Sequence, residues 1–209
     1  MAIEAVIWDF GGVFTPSPFA AAHAYARAQG TEPDAFVRIV FGDYDADTDH
    51  AWHRLERGEI AFTVALDEIG ASAVASGVRF DVGEMFGTMV DDEVDRSVVT
   101  DYVRALRGRG IRNAILTNNI REYGDHWRAR LDVDELFDLV VDSCLEGIRK
   151  PDPVIYERAL ERLGIGPEAA VFLDDFEQNV VAARALGMHG IVVGADPRVA
   201  LAELDALLA

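Results

Sequence analysis

Polar side chains that could serve catalysis fall into four short clusters of the sequence. The clusters cover residues 9–15, 116–119, 149–152 and 172–179. Asp9 offers a carboxylate nucleophile, and Asp174 and Asp175 offer further oxygen ligands for a hard cation such as Mg²⁺. A cation held there would lessen the repulsion between Asp9 and an anionic substrate.

The remaining polar residues of these clusters suit a phosphoryl group. Thr117 and Asn118 could donate hydrogen bonds to phosphoryl oxygens, and Lys150 supplies a positive charge that balances carboxylates and phosphate alike. Each cluster alone is typical of a loop or a helix cap. Their succession along the chain, each after an apolar run, is what favours one shared site.

The elements that would position these clusters alternate in type. Short apolar runs predict buried strands, and amphipathic patterns between them predict helices with glycine near their carboxyl ends. Alternating strands and helices predict an α/β fold, a doubly wound (Rossmann-like) parallel sheet whose strand ends bring the clusters together. The predicted strands are 5–8, 113–116, 139–141, 170–173 and 190–193, the predicted helices are 97–109, 120–131, 153–164, 177–187 and 197–208, and the glycines are Gly110, Gly164 and Gly187.

Residues 16–95 interrupt this alternation. Helical patterns occur at 19–29, 52–57 and 62–69, with no convincing strand. An insertion directly after the first strand would lie over the carboxyl ends of the sheet, where ligands bind in open α/β folds. We therefore predict a core of residues 1–15 and 96–209 and a small α-helical cap of residues 16–95.

The amino-acid composition limits the classes of partner that this protein is expected to bind. The net charge is −18, from 37 acidic and 19 basic residues, which argues against nucleic acid as a partner. No run approaches the roughly 18 apolar residues needed to cross a bilayer, so no membrane partner is expected. The amino terminus lacks the basic region of a signal peptide, and the single Cys144 is expected to be a core residue. These features predict a cytoplasmic protein.

The four clusters resemble the four motifs of the haloacid dehalogenase-like hydrolase superfamily, in the subgroup whose helical cap follows the first motif. The likeness extends over essentially the whole chain, and residues 150–152 and 173–179 are its most specific part. It implies a phosphatase that acts on a small phosphorylated metabolite, with Asp9 as the phosphorylated nucleophile. The residues implied to hold the phosphoryl group are Gly11, Gly12, Thr117, Asn118 and Lys150.

The resemblance also implies Mg²⁺ as the cofactor. Asp9, Asp175 and the backbone carbonyl of Gly11 would ligate the ion. Asp174 would bond to the site's lysine or to a metal-bound water, and Asn179 would steady the metal loop.

The sequence departs from the superfamily pattern at Gly11. Phosphatases that it resembles carry there an aspartate that protonates the leaving oxygen, a contribution of about 10²–10⁴ in rate. We therefore expect a preference for leaving groups that need little protonation, such as those of acyl, aryl or sugar-1-phosphates. Glu59, His50 and His53 are the candidates for a replacement acid, although each residue type is also common on surfaces and at helix caps.

Two other functions fit parts of the pattern. A 2-haloacid dehalogenase needs no proton donor at this position, but it also needs no cation between carboxylates. A non-catalytic domain that binds a phosphorylated ligand or a protein would explain Gly11, but not why Asp9, Lys150 and Asp175 occur together. The sequence leaves the substrate and the oligomeric state open.

Overall fold

The computed structural model describes residues 2–91, 95–129 and 131–209. The strands are β1 (Ala5–Trp8), β2 (Arg112–Thr117), β3 (Leu139–Asp142), β4 (Ala170–Asp174) and β5 (His189–Val192). The helices of these ranges are α1 (Pro18–Ala28), α2 (Pro33–Phe41), α3 (Ala51–Glu56), α4 (Phe62–Ala75), α5 (Val82–Gly87), α6 (Ser97–Gly108), α7 (Gly124–Arg128), α8 (Val133–Leu136), α9 (Ser143–Glu146), α10 (Pro153–Leu163), α11 (Glu177–Ala185) and α12 (Pro197–Leu207). Short 3₁₀ turns cover Thr88–Asp91, Arg121–Tyr123 and Pro167–Ala169. Within the described part, no helix combines the length and apolarity that crossing a bilayer demands.

The five strands form one parallel sheet with the order β3-β2-β1-β4-β5. From β1 the chain moves outward to β2 on one side, and from β4 it moves outward to β5 on the other. The carboxyl ends of β1 and β4 therefore flank the point where the connections diverge, which is where ligands bind in such sheets. The predicted doubly wound α/β fold is confirmed.

Strand β1 shows why both faces of the sheet must be covered. Val6 and Trp8 point into one apolar cluster, while Ala5 and Ile7 point into another, because successive side chains of a strand alternate between faces. All four residues are fully buried. Helices α6 and α12 cover the first face, and helices α10 and α11 cover the second.

The helices between β1 and α6 pack around a third apolar cluster of their own. Its buried members come from α1 to α4, from α5 and from the loop after α2, and include Tyr25, Phe36, Leu55, Ile69 and Met85. Over residues 16–91 the structure describes helices and turns without a strand. Residues 92–94 and Met1, which belong to the predicted division, lie outside the described residues. The division into a core and a cap stays a prediction.

The sequence patterns placed some helices incorrectly. The pattern at 120–131 predicted one helix, but the structure has a 3₁₀ turn over Arg121–Tyr123 followed by the short α7, and Arg130 lies outside the described residues. Gly124 at the junction has low helix propensity, which explains the break. Helix α2 was not predicted, although it begins with proline at its first turn and the Glu32 carboxylate accepts hydrogen bonds from its first free N–H groups.

Candidate active site

The position of Asp9 follows from the register of β1 with its two neighbours. Trp8 pairs with Ile115 of β2 and with Leu173 of β4, so the next residues of the three strands lie side by side at one edge. The Asp9 N–H donates to the Leu173 carbonyl at 2.8 Å and extends the ladder by one bond. The four clusters therefore converge at the carboxyl edge of the sheet, and Thr117 lies there as the buried last residue of β2.

The two glycines after Asp9 differ in their surroundings. Gly12 has a φ of +72°, and a Cβ on it would lie 2.1 Å from the Asp175 carboxyl carbon, so no larger residue fits. At Gly11 a Cβ would meet only the Pro18 ring, at 3.7 Å, which is ordinary van der Waals contact. The loop therefore requires glycine at position 12 and leaves room for a side chain at position 11.

Lys150 connects the nucleophile with β4. Its ammonium lies 2.8 Å from Asp9 Oδ1 and 2.6 Å from Asp174 Oδ2, and its side chain is buried. Burial alone would lower the pKa of Lys150, but the charges of Asp174 and Asp9 outweigh it and raise that pKa. The lysine therefore stays protonated between the two carboxylates.

Asn118 holds the backbone of this lysine. Its Oδ1 accepts from the Lys150 N–H at 2.8 Å, and its Nδ2 donates to the Lys150 carbonyl at 3.0 Å. The peptide bond between Lys150 and Pro151 is cis. The Asn118 side chain, which the sequence placed among the phosphate-binding residues, is thus occupied in fixing Lys150.

Asp174 is fully buried and has donors on both carboxylate oxygens. Oδ1 accepts from the Phe176 N–H at 2.7 Å, and Oδ2 accepts from Asn179 Nδ2 at 3.0 Å as well as from the lysine. Asp174 and Asn179 therefore orient the loop that carries Asp175.

Three carboxylates at this edge could share a cation. One oxygen from each of Asp9, Asp174 and Asp175 lies within 4.8 Å of the others. Burial raises the pKa of Asp9 to about 7 despite the nearby lysine, and burial with repulsion from the other two carboxylates raises the pKa of Asp175 to about 8. When all three carboxyl groups are ionised, the single ammonium leaves this cluster with a net negative charge. Oxygen ligands in this arrangement fit Mg²⁺.

The candidate replacement acids make contacts away from Asp9. Glu59 pairs with Arg57 at 2.6 Å, and His50 Nδ1 accepts from the Trp52 N–H at the start of α3. His53 is buried, its Nδ1 accepts from the Thr48 N–H at 3.0 Å, and burial lowers its pKa to about 3. None of the contacts recorded over the described residues links these three side chains to Asp9.

A buried ion pair beside the site was not predicted from the sequence. Arg149, which precedes the bridging lysine, donates to Glu56 Oε2 at 2.7 Å, and both side chains are buried. Glu56 Oε1 also accepts from the Tyr44 hydroxyl at 2.5 Å and from Trp52 Nε1 at 2.8 Å. At the end of a short helix Glu56 reads as a surface residue, so no sequence signal marks this contact.

Solved structures share this fold. A hydrolase of Porphyromonas gingivalis described as predicted HAD-like superimposes with a TM-score of 0.69 and 22% identity, covering 100% of both chains. A HAD-family enzyme of Bacteroides thetaiotaomicron, in complex with magnesium and inorganic phosphate, superimposes with a TM-score of 0.60 and 19% identity, covering 93% of this chain and 96% of that one. At such identities the likeness establishes the fold alone.

Sequence relatives are more similar. Acyl-CoA dehydrogenase family member 10 of Mus musculus is 38% identical over 98% of this chain, which spans 19% of that protein. Bifunctional epoxide hydrolase 2 of Sus scrofa is 29% identical over 98% of this chain, which spans 39% of that protein. The sesquiterpene phosphatase astK of Aspergillus oryzae is 28% identical, with 90% of this chain and 88% of the relative covered. The chain thus spans less than half the length of the first two relatives.

A family-level match covers most of the chain. The family described as haloacid dehalogenase-like hydrolase matches residues 3–187, a range that contains all four polar clusters. This confirms the resemblance that those clusters predicted. The chain belongs to the haloacid dehalogenase-like hydrolase family.

Proposed function

We propose that this protein is a Mg²⁺-dependent phosphohydrolase that transfers a phosphoryl group from a small phosphate ester to Asp9 and then to water. The observation that carries the proposal is the Lys150 ammonium, buried within 2.8 Å of Asp9 and 2.6 Å of Asp174. It gives the site a fixed positive charge beside the nucleophile. A relative that bears the name of a phosphatase supports the same conclusion.

The chemistry divides among the residues of the strand ends. An Asp9 carboxylate oxygen attacks phosphorus, the bond from phosphorus to the leaving oxygen breaks, and the leaving group takes the electron pair. Thr117 and Lys150 hold the phosphoryl oxygens during this transfer. Bound Mg²⁺, held by Asp9, Asp175 and the Gly11 carbonyl, would neutralise charge on those oxygens. Water then attacks phosphorus, the bond between phosphorus and the Asp9 oxygen breaks, and phosphate leaves with the protons of the water, which restores the Asp9 carboxylate.

Gly11 restricts which esters react quickly. With no carboxyl group at this position, the leaving oxygen departs without a proton from it. A weakly basic leaving group bears that charge at lower cost, which favours acyl, aryl or sugar-1-phosphates.

Dehalogenation is the alternative that Gly11 favours, because halide departs without a proton. The cluster of Asp9, Asp174 and Asp175 argues against it, since displacing halide needs no cation between carboxylates. A binding domain without catalysis is disfavoured because the Asp9–Lys150–Asp174 contacts are intact.

Hydrolysis of p-nitrophenyl phosphate by the purified protein, with Mg²⁺ and with a chelator, tests the proposal. We expect Mg²⁺-dependent turnover that Asp9→Asn abolishes. Asp67→Asn is the matched control, because Asp67 is exposed on α4, and it should keep wild-type turnover. Metal-independent release of chloride from 2-chloropropionate would establish dehalogenation instead, and absence of both activities would leave a binding domain.

A further inference from the structure

A cleft of about 690 Å³ opens beside the candidate active site. Gly12 and Asp175 form its inner end, and the exposed Ala20 and Ala24 of α1 form part of its outer wall. One carboxylate oxygen of Asp175 lies within 4.8 Å of one of Asp9, so the inner end of the cleft adjoins the three-carboxylate cluster. A volume of this size accommodates a small organic group.

The walls of the cleft are predominantly apolar. Alanines on two successive turns of α1 face Val193 and its neighbours in the loop after β5, with Met89 along one side. Among the described residues that line it, asparagine, glutamine, histidine, lysine, glutamate, tyrosine and tryptophan are absent. The polar side chains of the lining are those of Ser17, Thr88, Arg96 and Asp175.

The polar side chains of the lining already have protein partners. The Thr88 hydroxyl donates to the Met85 carbonyl at 2.7 Å, and Arg96 donates to the Gly12 carbonyl at 2.5 Å. The Ser17 hydroxyl lies near Asp175 and partly offsets the rise in the pKa of that carboxyl group. Because part of this hydrogen-bonding capacity is already used, a leaving group rich in hydroxyls would gain fewer hydrogen bonds here than it loses from water, which is costly.

We propose that this cleft holds the leaving group of the substrate and selects uncharged, apolar, weakly basic ones, so that aryl and acyl phosphates with hydrocarbon substituents are favoured over sugar phosphates. This inference rests on the proposed function. The apolar wall sets the preference for hydrocarbon, and Gly11, which offers no proton, sets the preference for weak basicity. Transfer leaves the phosphoryl group on Asp9 and releases the aryloxide or carboxylate anion, which water protonates according to its own pKa.

One series and one pair of substrates separate the effect of apolar area on kcat/KM from the effect of leaving-group basicity. Along 4-alkylphenyl phosphates, from methyl to butyl, the basicity of the phenol hardly changes while the apolar area grows. We expect kcat/KM to rise by about fourfold for each methylene that becomes buried. In a pair of matched length, 4-butylphenyl phosphate should exceed 4-(3-hydroxypropyl)phenyl phosphate by roughly tenfold. Equal kcat/KM values across the series and within the pair would overturn the proposal.

A substitution that fills the cleft tests whether the cleft causes the substrate preference. Ala24→Leu places extra side chain in the cleft and should lower kcat/KM for 4-butylphenyl phosphate much more than for phenyl phosphate. Ala28→Leu is the matched control, because Ala28 is exposed one turn further along α1 and does not line the cleft, and both substrates should keep wild-type values. Equal losses for the two substrates in Ala24→Leu would contradict the assignment. Absence of any Mg²⁺-dependent turnover of p-nitrophenyl phosphate by the wild type would instead refute the proposed function itself.

Discussion

At the scale of single residues, the two glycines after Asp9 differ, because the structure requires glycine at position 12 but not at position 11. Gly12 is fixed by its positive φ and by the Asp175 carboxyl group against it, whereas a Cβ on Gly11 would make only ordinary contact with the Pro18 ring. Packing therefore explains glycine at position 12 and does not explain it at position 11. The missing acid is a chemical property of this chain that a substitution can test.

Gly11→Asp should introduce a proton donor without a packing cost. A positioned carboxyl group that protonates the leaving oxygen contributes about 10²–10⁴ in rate, and this benefit falls as the leaving group becomes less basic. We expect kcat/KM for alkyl phosphates to rise markedly and that for p-nitrophenyl phosphate to change little. A plot of log kcat/KM against leaving-group pKa should therefore become shallower in the variant.

Gly11→Asn is the control for this experiment. Asparagine has nearly the same shape as aspartate but no proton to give, so it should keep the steep wild-type plot. If the asparagine and aspartate variants gave the same slope, the acid at position 11 would have no role in this chain.

At the scale of secondary-structure elements, the sequence predicted which residues lie at the ends of strands. It did not predict which distant residues the helices contact. Buried runs such as Ala5–Trp8 place Asp9 at a strand end, and parallel register then brings it beside Asp174. The Glu56–Arg149 pair joins residues 93 positions apart, and no local pattern specifies such a partner. Helices α8 and α9 have four residues each, too few for a periodic pattern.

The junction between α3 and the core loops is held by several contacts. The Ser143 hydroxyl donates to the Glu56 carbonyl at 2.6 Å, and a Cβ on Gly58, whose φ is +68°, would lie 2.4 Å from the Cys144 carbonyl oxygen. The Glu56–Arg149 ion pair lies at the same junction, next to Lys150 in the chain. We therefore infer that this pair fixes the loop that carries the site's lysine.

Glu56→Gln should destabilise the protein strongly. Removing one charge of a buried pair leaves the other uncompensated, at a cost of about 3–5 kcal/mol in the free energy of unfolding. Glu59→Gln in the same loop removes a half-exposed pair and should cost less than about 1 kcal/mol. Urea unfolding of the two variants measures the difference.

A double variant shows whether the charge or the packing matters. Adding Arg149→Met to Glu56→Gln removes the unpaired guanidinium and should recover part of the lost stability. Equal losses for Glu56→Gln and Glu59→Gln would contradict the structural importance of the buried pair.

For the whole molecule, the excess of acidic residues makes folding depend on pH and on cations. The net charge of −18 belongs mostly to the surface, where salt screens it. The carboxyl groups of Asp9 and Asp175 differ from those surface groups, because they lie close together and their pKa values are raised to about 7 and about 8. Screening by salt cannot replace a cation bound between them.

The metal-free protein should lose stability as pH rises. Carboxyl groups whose pKa is raised from 3.8 in the unfolded chain to about 7 and about 8 in the folded one hold their protons more tightly when folded. The stability linked to those protons is fully present below the unfolded pKa and is lost as pH rises through the folded values. Mg²⁺ binds the ionised carboxylates, so its stabilising effect should be small near pH 5 and large near pH 8.

Thermal unfolding across this pH range, with Mg²⁺ and with a chelator at equal ionic strength in NaCl, measures the effect. The rise in Tm caused by Mg²⁺ should grow with pH in the wild type and should be much smaller in Asp175→Asn, which removes one carboxyl group of the three-carboxylate cluster. Asp67→Asn, which removes an exposed carboxylate, should keep the wild-type dependence. A Mg²⁺ effect of the same size in wild type and Asp175→Asn would assign it to the acidic surface, and the three-carboxylate cluster would then not be the cation site.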